Sequence, residues 1–516
     1  MNILLTIDGQ EVAIQPGQTV LDAARQIGID IPTLCHLKEC GPLTTCLVCL
    51  VKINGKLVPS CATVAAPGMV VESESEEVYE ARRTALELLF SDHVGDCLSP
   101  CQRLCPLQLN IPAMLRQIED GQMNDAVATV RQALPMPGVL GRLCNHPCEQ
   151  GCRRGAADDS ADIRGLERFI ADHDLRLASP YLPPCRTRSE KSVAIVGAGP
   201  AGLAAAYYLA RQGHSVTIFD RHDRAGGSLR DVAESELPRK VLDAEITQLQ
   251  RLGVEILLNV ELGSRVTLEA LQRDYNAVLL AVGAKANSEG EKLAISITPA
   301  GIKTNAATAM TSVAGVFAAG AAVKPVKQLI RAMSEGKGAA ECVHRFLTGE
   351  PIGRSGKPIS SVMGKLDTAE LKLFLKGASG EARHTPCDAC AGFSATEAKS
   401  EAARCLHCDC RSAGQCAFQH YAQVYDADPG RFRATREPFE QQIQPGGVIF
   451  EPGKCILCGI CVKLTEQAGE PLGLTFVGRG FDVRIATPFD QTIEAGLQKV
   501  AAECVKHCPT GALSMK

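Results

Sequence analysis

Residues 192–220 read SVAIVGAGPAGLAAAYYLARQGHSVTIFD. An apolar strand over 192–196 leads at once into a glycine-rich turn, a helix over 203–212 and a second strand that ends at Asp220. Glycines in such a turn let the backbone approach a pyrophosphate at a helix N-terminus, and the acidic residue can bind ribose hydroxyls. The stretch therefore predicts a Rossmann-like dinucleotide domain. Its predicted cofactor-binding residues are Gly197, Gly199, Gly202 and Asp220.

Three further stretches bear on which dinucleotide is expected. They are RAGG ending at Gly227, YNAVLLAVG ending at Gly283 and GVFAAG ending at Gly320. These stretches resemble the FAD-side motifs of the glutathione-reductase-like flavoproteins, and the region as a whole resembles the glutamate synthase small subunit. The resemblance implies FAD as the cofactor, with the three glycines that end these stretches beside it.

The region departs from that family in two ways. The family has a second GxGxxG domain for NADPH between the last two motifs, but only 36 residues separate Gly283 from Gly320 here. A βαβ unit alone takes about 30 residues or more, so we expect no nicotinamide domain and no direct NAD(P)H binding. Ala321 replaces the aspartate that binds the flavin's ribityl chain in the family, although a helix over 334–340 could face the cofactor instead. An empty scaffold fold is the alternative.

The N-terminal part of the chain carries a group of four cysteines. Strands over 2–7 and 11–14 and a helix over 19–27, with Thr19 as its N-cap, precede cysteines spaced C-x10-C-x2-C-x11-C. Four thiolates without the cubane spacing fit [2Fe-2S] better than [4Fe-4S]. The segment resembles the plant-type ferredoxin module of the large iron-sulfur subunit of respiratory complex I and related hydrogenase subunits. Cys40 is then a free thiol, and zinc is the alternative metal. The predicted ligands are Cys35, Cys46, Cys49 and Cys61.

Helical periodicity over 78–90 and 114–134 accompanies two cysteine triplets, each spaced C-x3-C-x3-C. This segment resembles the N-terminal domain of the glutamate synthase small subunit and of dihydropyrimidine dehydrogenase, which carries two [4Fe-4S] clusters. The resemblance implies one cubane on Cys101, Cys105, Cys144 and Cys148. A second cubane would have only Cys97 and Cys152, with His93 and Glu167 as candidates for the missing ligands. A domain with a single cluster is the alternative.

A Gly/Pro-containing stretch over 349–357 reads as a linker and precedes a cysteine-rich segment. That segment looks like the tails of fused relatives of the glutamate synthase small subunit, and it predicts a third cubane. Its candidate ligands are Cys405, Cys408, Cys410 and Cys416. A zinc ribbon is a rival interpretation, because Cys387, Cys390, Cys405 and Cys408 have nearly the spacing of a structural zinc site.

The last cysteine group has the spacing C-x2-C-x2-C and is completed by a distant Cys-Pro. Thiolates at that spacing on a tight loop can all face one cubane. The segment resembles a bacterial two-cluster ferredoxin, in which each cluster takes its fourth ligand from the other run. One cluster keeps all its ligands here, whereas the other retains only Cys504 and should be absent. The predicted ligands are Cys455, Cys458, Cys461 and Cys508.

Composition limits the remaining possibilities. The net charge of −4 shows no basic excess, so nucleic acid is not an expected partner. The sequence has neither a signal-peptide pattern nor a run of about 18 apolar residues, so we expect a cytoplasmic protein without a membrane span. A disulfide-stapled secreted protein is a poor fit for 516 residues with 24 cysteines in tight groups.

The predicted fold class is multidomain α+β and α/β. It comprises a β-grasp [2Fe-2S] ferredoxin over 1–78, a helical [4Fe-4S] domain over 79–185, a Rossmann-like FAD domain over 186–350, a linker and cysteine-rich segment over 351–440, and a bacterial-ferredoxin-like [4Fe-4S] domain over 441–516.

We expect an electron-transfer subunit, because each module implies a cofactor while no catalytic nucleophile or acid-base pair is evident. FAD, one [2Fe-2S] cluster and three or four [4Fe-4S] clusters would connect a catalytic redox subunit with another electron-carrier subunit or ferredoxin. By analogy of modules, the catalytic partner is a hydrogenase, a formate dehydrogenase or a molybdenum/tungsten enzyme. A flavin-centred oxidoreductase, either electron-bifurcating or acting on a small substrate, is the alternative. A scaffold without flavin is a third hypothesis.

Overall fold

The computed structural model describes residues 2–285 and 295–515, and it divides into two compact units. The first unit consists of Met1–Leu98, Pro358–Lys376 and Cys408–Lys516. The second unit consists of Ser99–Lys357 and Gly377–His407. Both units are thus assembled from separated stretches of chain, and the division into five consecutive domains stays a prediction. Cys97 belongs to the first unit, and the other cysteines of the helical triplets belong to the second.

The N-terminal part of the first unit is a five-stranded mixed sheet that shares a buried core with one helix. In sheet order, its strands are Gln10–Ile14, Ile3–Ile7, Val70–Glu72, Leu50–Ile53 and Lys56–Pro59. The helix Val20–Gln26 begins after Thr19, whose hydroxyl accepts a hydrogen bond from the Asp22 amide in a capping box. The predicted strands, helix and N-cap are therefore confirmed in this region.

The remainder of the first unit brings the C-terminal cysteines together. Its helices are Glu76–Phe90, Thr368–Leu375, Ala417–Val424, Ile460–Gln467 and Ala501–His507. Its short strand sets are His36–Leu37 with Gly41–Pro42, Gln442–Ile443 with Val448–Phe450 and Leu513–Met515, and Thr475–Val477 with Arg484–Ala486. Because Leu513–Met515 pairs antiparallel with Val448–Phe450, the loop that carries Cys455 lies beside the Cys508 turn.

A five-stranded parallel sheet organises the second unit. In sheet order, its strands are Glu255–Leu257, Ser215–Phe219, Ser192–Val196, Ala277–Leu280 and Val316–Ala318. The predicted strand, helix and strand of the opening motif are confirmed, with the helix at Pro200–Arg211. Because parallel strands end at one edge of a sheet, the glycine turn, Asp220 and Gly283 meet at that edge.

The remaining helices of the second unit lie in the stretch with the helical cysteine triplets or follow strands of the sheet along the chain. They are Pro100–Leu104, Ile111–Glu119, Met123–Ala133, Pro137–Leu143, Pro147–Gln150, Ile163–Leu175, Arg239–Arg251, Leu268–Asp274, Leu329–Thr348 and Ala395–Ala402. The single helical run predicted over 114–134 is two helices, since Gly121 adopts a φ of +76° between them. A short hairpin pairs Ile297–Thr298 with Gly301–Ile302. The connection between Gly283 and Gly320 otherwise falls partly outside the described residues.

Within the described ranges, no helix combines the length and the apolar composition needed to cross a bilayer.

Candidate cofactor sites

The glycine turn of the second unit is shaped by close backbone approaches. Gly197 has a φ of +111°, and a Cβ there would lie 2.4 Å from the Ala281 carbonyl oxygen. A Cβ on Gly202 would lie 2.0 Å from the Gly197 carbonyl oxygen. At Gly199, in contrast, a Cβ would meet no protein atom within 4 Å. The first two positions therefore need glycine for packing, whereas Gly199 leaves open space for a ligand.

This open space is part of a cavity of about 810 Å³ at the carboxyl edge of the sheet. Ligand pockets usually fall between about 300 and 1,000 Å³, so the cavity is large enough for a dinucleotide. The predicted residues that line it are Gly197, Gly199, Asp220, Gly227 and Gly283. The basic residues that line it are Arg221, Arg224, Arg230 and Arg239.

The carboxylate of Asp220 is held in place at the cavity wall. One oxygen accepts a hydrogen bond from the Ala198 amide at 2.6 Å, and the other accepts from the His222 amide at 2.8 Å. A fixed acidic group at the end of the second strand is what ribose hydroxyls require in a dinucleotide site. Ala321 lines the same cavity, as does Ala332 from the helix Leu329–Thr348. The fixed carboxylate of Asp220, the glycine turn and the cavity therefore fit a dinucleotide.

The two remaining predicted glycines act beneath the cavity. Gly202 lets the helix Pro200–Arg211 approach the turn, as described above. At Gly320, a Cβ would lie 2.7 Å from Ala201 Cβ. Both residues therefore position the cavity wall without lining it.

The four N-terminal thiols are brought together in the first unit. All four are buried, and Cys49 Sγ lies 3.3 Å from Cys61 Sγ. A hydrogen bond from the Cys46 side chain lowers the pKa of Cys35 to about 5. The same hydrogen bond raises the pKa of Cys46, and the Cys49–Cys61 contact likewise raises the pKa of Cys61, so each pair loses one proton readily and would lose the second on binding a metal. Cys40 lies apart from them, since its thiol donates to Gln467 Oε1 at 3.7 Å.

The C-terminal thiols share one small cavity of the first unit. Its cysteines are Cys455, Cys458, Cys461, Cys504 and Cys508. Burial raises the pKa of Cys455 to about 11 and also raises the pKa of Cys458 and Cys461. Neutral thiols in this apolar space would become thiolates on binding a metal. Cys504, which the sequence assigns to an absent second cluster, lines the same cavity and directs its thiol to the Cys461 carbonyl oxygen at 4.0 Å.

In the second unit, Glu167 lies close to three helical thiols. Burial, together with the charge of Glu167, raises the pKa of Cys105, Cys144 and Cys148. Burial also raises the pKa of Glu167 to about 8, and its Oε1 has no hydrogen-bond partner. A buried carboxyl oxygen without a partner is costly, so this side chain fits the place of a ligand donor. Cys101 contributes to the pKa of Cys148 as well.

The cysteine-rich segment is divided between the two units. Cys405 is buried in the second unit, whereas Cys410 and Cys416 belong to the first unit. In the first unit, the Cys410 amide donates to the Cys97 carbonyl oxygen at 3.4 Å. Cys152 is partly buried in the second unit, and Cys408 begins the last stretch of the first. Cys387 and Cys390, the other half of the zinc-ribbon interpretation, are both exposed.

Lys454 is a residue that the sequence does not single out. It is buried, forms an ion pair with Glu451, and places Nζ 3.8 Å from Cys410 Sγ. Burial opposes its charge, but Glu451 and the neighbouring thiols raise its pKa. A positive charge therefore lies beside the candidate ligand Cys410. The sole sequence signal for Lys454 is its position immediately before Cys455.

Three family models match parts of the chain. A 2Fe-2S iron-sulfur cluster binding domain matches residues 1–76. Dihydropyrimidine dehydrogenase domain II, 4Fe-4S cluster, matches residues 46–178. Pyridine nucleotide-disulphide oxidoreductase matches residues 155–336. Together these matches support iron-sulfur clusters of both kinds and a flavin in an oxidoreductase.

Similar curated proteins are subunits of oxidoreductases. The NADP(+)-dependent formate dehydrogenase subunit beta of Moorella thermoacetica is 43% identical over 212 residues, which cover 37% of this chain and 30% of that protein. The NADPH-Fe(3+) oxidoreductase subunit beta of Geobacter sulfurreducens is 38% identical over 190 residues, which cover 36% of this chain and 28% of that protein. The NAD-dependent dihydropyrimidine dehydrogenase subunit PreT of Escherichia coli is 37% identical over 193 residues, which cover 37% of this chain and 47% of that protein.

The chain thus spans less than half the length of each of these relatives. All three are named for dependence on NADP(+), NADPH or NAD, so the expectation of no NAD(P)H binding gains no support from them. Among solved structures, a chain of an NAD+-reducing [NiFe]-hydrogenase is 43% identical where it aligns. That alignment covers 18% of this chain and 39% of the other, with a TM-score of 0.17.

Proposed function

We propose that the chain is an electron-transfer subunit that holds FAD and several iron-sulfur clusters for a separate catalytic redox subunit and another electron carrier. FAD would supply two-electron chemistry, and the clusters would supply single-electron transfer. Within each unit, the residues of this chain would hold these groups in a buried setting. The relatives that are subunits of formate dehydrogenase, NADPH-Fe(3+) oxidoreductase and dihydropyrimidine dehydrogenase support such a role.

The observation that carries the proposal is the proximity of two thiol groups in the first unit. Thr45, which precedes Cys46, donates from Oγ1 to the Cys458 carbonyl oxygen at 3.4 Å. Cys35 and Cys458 belong to one buried apolar cluster, and Cys35 contributes to the pKa of Cys458. A two-iron site and a four-iron site would therefore be neighbours. Neighbouring redox centres favour electron transfer.

A similar proximity in the second unit supports the flavin's place in this relay. The helix Leu329–Thr348, which contributes to the cavity, contacts the chain just after Cys105. Ser334 Oγ donates to the Pro106 carbonyl oxygen at 3.2 Å, and Lys337 Nζ donates to the Leu107 carbonyl oxygen at 3.3 Å. The candidate flavin cavity and a candidate cluster thiol are thus joined by one helix.

The finer assignments belong to the same proposal. The N-terminal mixed sheet with its helix supports a β-grasp ferredoxin, and the parallel sheet supports a Rossmann-like FAD domain. The shared cavity of the C-terminal thiols supports a ferredoxin-like [4Fe-4S] domain. We propose one [2Fe-2S] cluster and three or four [4Fe-4S] clusters.

Anaerobic purification followed by iron, sulfide and flavin analysis tests this proposal. We expect about 14 to 18 iron atoms per chain from one two-iron and three or four four-iron sites, with about one FAD. Cys46→Ala should remove the two-iron electron paramagnetic resonance signal, because a predicted ligand is lost. Cys40→Ala, a change at a buried thiol of the same loop, should leave that signal intact.

A colourless, iron-free preparation would contradict the proposed function. Addition of NADPH to the isolated chain separately tests the expectation of no direct NAD(P)H binding. Prompt bleaching of the flavin absorbance would contradict that expectation alone.

Lys454→Met should lower the reduction potential of a cluster that uses Cys410 as a ligand. A nearby positive charge stabilises the more negative reduced state, and its hydrogen bond to sulfur acts in the same direction. We expect a shift on the order of 60 mV, which is about tenfold in the equilibrium constant of a one-electron couple. Potentiometric titration measures it. Lys454→Met/Glu451→Gln removes both charges of the pair and should return the potential toward the wild-type value, and an unchanged potential in Lys454→Met would contradict the role.

A further inference from the structure

Two cysteines from the end of the cysteine-rich segment lie beside Cys97 in the first unit. The Cys410 amide donates to the Cys97 carbonyl oxygen at 3.4 Å. The Cys97 thiol contacts Ser361 Oγ at 3.4 Å, and Cys410 contributes to the pKa of Cys97. Burial raises the pKa of Cys416 to about 12, and both other thiols add to this rise. Two neighbouring thiols, Cys410 and Cys416, are therefore clustered with Cys97, which is distant from them in the sequence.

A histidine nitrogen without a partner lies near this cluster. His93 precedes Cys97 by four residues, and its Nδ1 is buried with no hydrogen-bond partner. The ring packs 5.5 Å from the ring of Phe418, which follows Cys416 by two residues. A buried polar atom without a partner carries a desolvation cost, and metal coordination would satisfy it. Imidazole is a common donor in metal sites.

Other groups of the first unit enclose these thiols. Cys416 Sγ donates to the Pro509 carbonyl oxygen at 3.5 Å, and a Cβ on Gly511 would lie 3.2 Å from Cys410 Sγ. Lys454 Nζ approaches Cys410 Sγ from another side, at 3.8 Å. Backbone and a buried cation thus enclose the thiols. The Cys508-Pro509 turn, which carries a candidate ligand of the C-terminal group, is part of this enclosure.

We propose that His93, Cys97, Cys410 and Cys416 hold one [4Fe-4S] cluster. This grouping replaces two sequence-based ones, since it removes Cys97 from the helical triplets and separates Cys410 and Cys416 from Cys405. Across the described residues, no three histidine, cysteine, aspartate or glutamate side chains converge closely enough to bind a single metal ion. A cubane needs no such convergence, because its four ligands bind four different iron atoms around a cage. The proposal rests on the proposed function in assuming iron-sulfur ligation by these cysteines.

The site would extend the relay of the first unit. Through the Cys508-Pro509 turn, it adjoins the C-terminal thiol group, which in turn adjoins the two-iron thiols. Three redox sites would then follow one another within one compact unit.

The experiment compares Cys97→Ala, Cys410→Ala and the double variant in anaerobically prepared full-length chain. If both cysteines ligate one cluster, each single variant loses about four iron atoms and the same resonance signal, and the double variant loses no more. Cys342→Ala is the matched control, because Cys342 is also buried but its thiol contacts the Ala307 carbonyl oxygen in the second unit. Different missing signals, about eight iron atoms lost in the double variant, or zinc in place of iron would overturn the proposal.

His93→Cys tests the fourth ligand without relying on a loss of folding. Replacement of imidazole by thiolate should keep the iron content while changing the g-values of that one signal and lowering its potential. Unchanged g-values would show that His93 is not a ligand and would overturn the four-ligand assignment. In all variants, the two-iron signal and the flavin content report folding. If the wild type shows the two-iron signal and contains flavin, but Cys97→Ala and Cys410→Ala do not lose the same resonance signal, this inference is contradicted. The proposed function would then still stand.

Discussion

Gly199→Val is expected to abolish flavin retention while leaving the protein folded. Gly199 has a φ of −83° and lies at the start of the helix Pro200–Arg211, in backbone geometry that valine adopts without strain. A Cβ there meets no protein atom within 4 Å, yet the residue lines the cavity. The added methyl groups would therefore occupy space needed by the cofactor's pyrophosphate. We expect binding to weaken by roughly a hundredfold or more, about 2.8 kcal/mol.

Flavin content after anaerobic gel filtration and the thermal transition measure this result. Gly356→Val is the matched control, because Gly356 is exposed, lies outside the cavity and also has no atom within 4 Å of a built Cβ. The control should retain flavin. Full flavin content in Gly199→Val would mean that the cofactor does not lie over this turn. Gly202→Val should instead destabilise the protein itself, since its side chain would collide with the Gly197 carbonyl oxygen.

Local patterns explain why much of the fold was predictable. The strand, turn, helix and strand over 192–220 follow from apolar periodicity and glycines that lie within one short stretch. Thr19 was predictable as an N-cap because the capping box involves residues three apart, Thr19 and Asp22. The break at Gly121 was missed, since an isolated glycine inside a helical pattern is often tolerated.

The grouping of cysteines was less predictable, because ligands in one site come from distant stretches. Spacing predicts that Cys455, Cys458, Cys461 and Cys508 share a site, and the structure places them around one cavity. Spacing also groups Cys97 with the helical triplets, and this grouping stays a prediction, since the boundary between the units follows Leu98. The tertiary contact of Cys97 with Cys410 has no local sequence pattern. Nor does the position of Glu167 beside three thiols, which depends on how its helix is oriented.

The helical part of the second unit depends on a buried charge network around Arg131. Arg131 Nε donates to Asp174 Oδ2 at 2.8 Å, and Nη1 donates to Glu245 Oε2 at 2.5 Å. Glu245 also accepts from the Gly138 amide at 2.5 Å, and burial raises its pKa. The Tyr207 hydroxyl donates to the Arg131 carbonyl oxygen. The network thus connects three helices of the helical part with Arg239–Arg251 and with Pro200–Arg211, the first helix after the glycine turn.

Arg131→Met should destabilise the second unit by about 3 to 5 kcal/mol, because it leaves two carboxylates buried without their cation. We expect a lower thermal transition, with flavin and iron lost together from that unit. Arg273→Met is the matched control in the same unit. Its pair with Asp274 at 2.8 Å is exposed, and exposed pairs contribute little to stability. Arg131→Met/Asp174→Asn/Glu245→Gln removes the unpaired charges as well and should recover part of the loss. An equal effect of the two arginine variants would contradict the argument, because it would mean that burial of the network adds nothing beyond a surface ion pair.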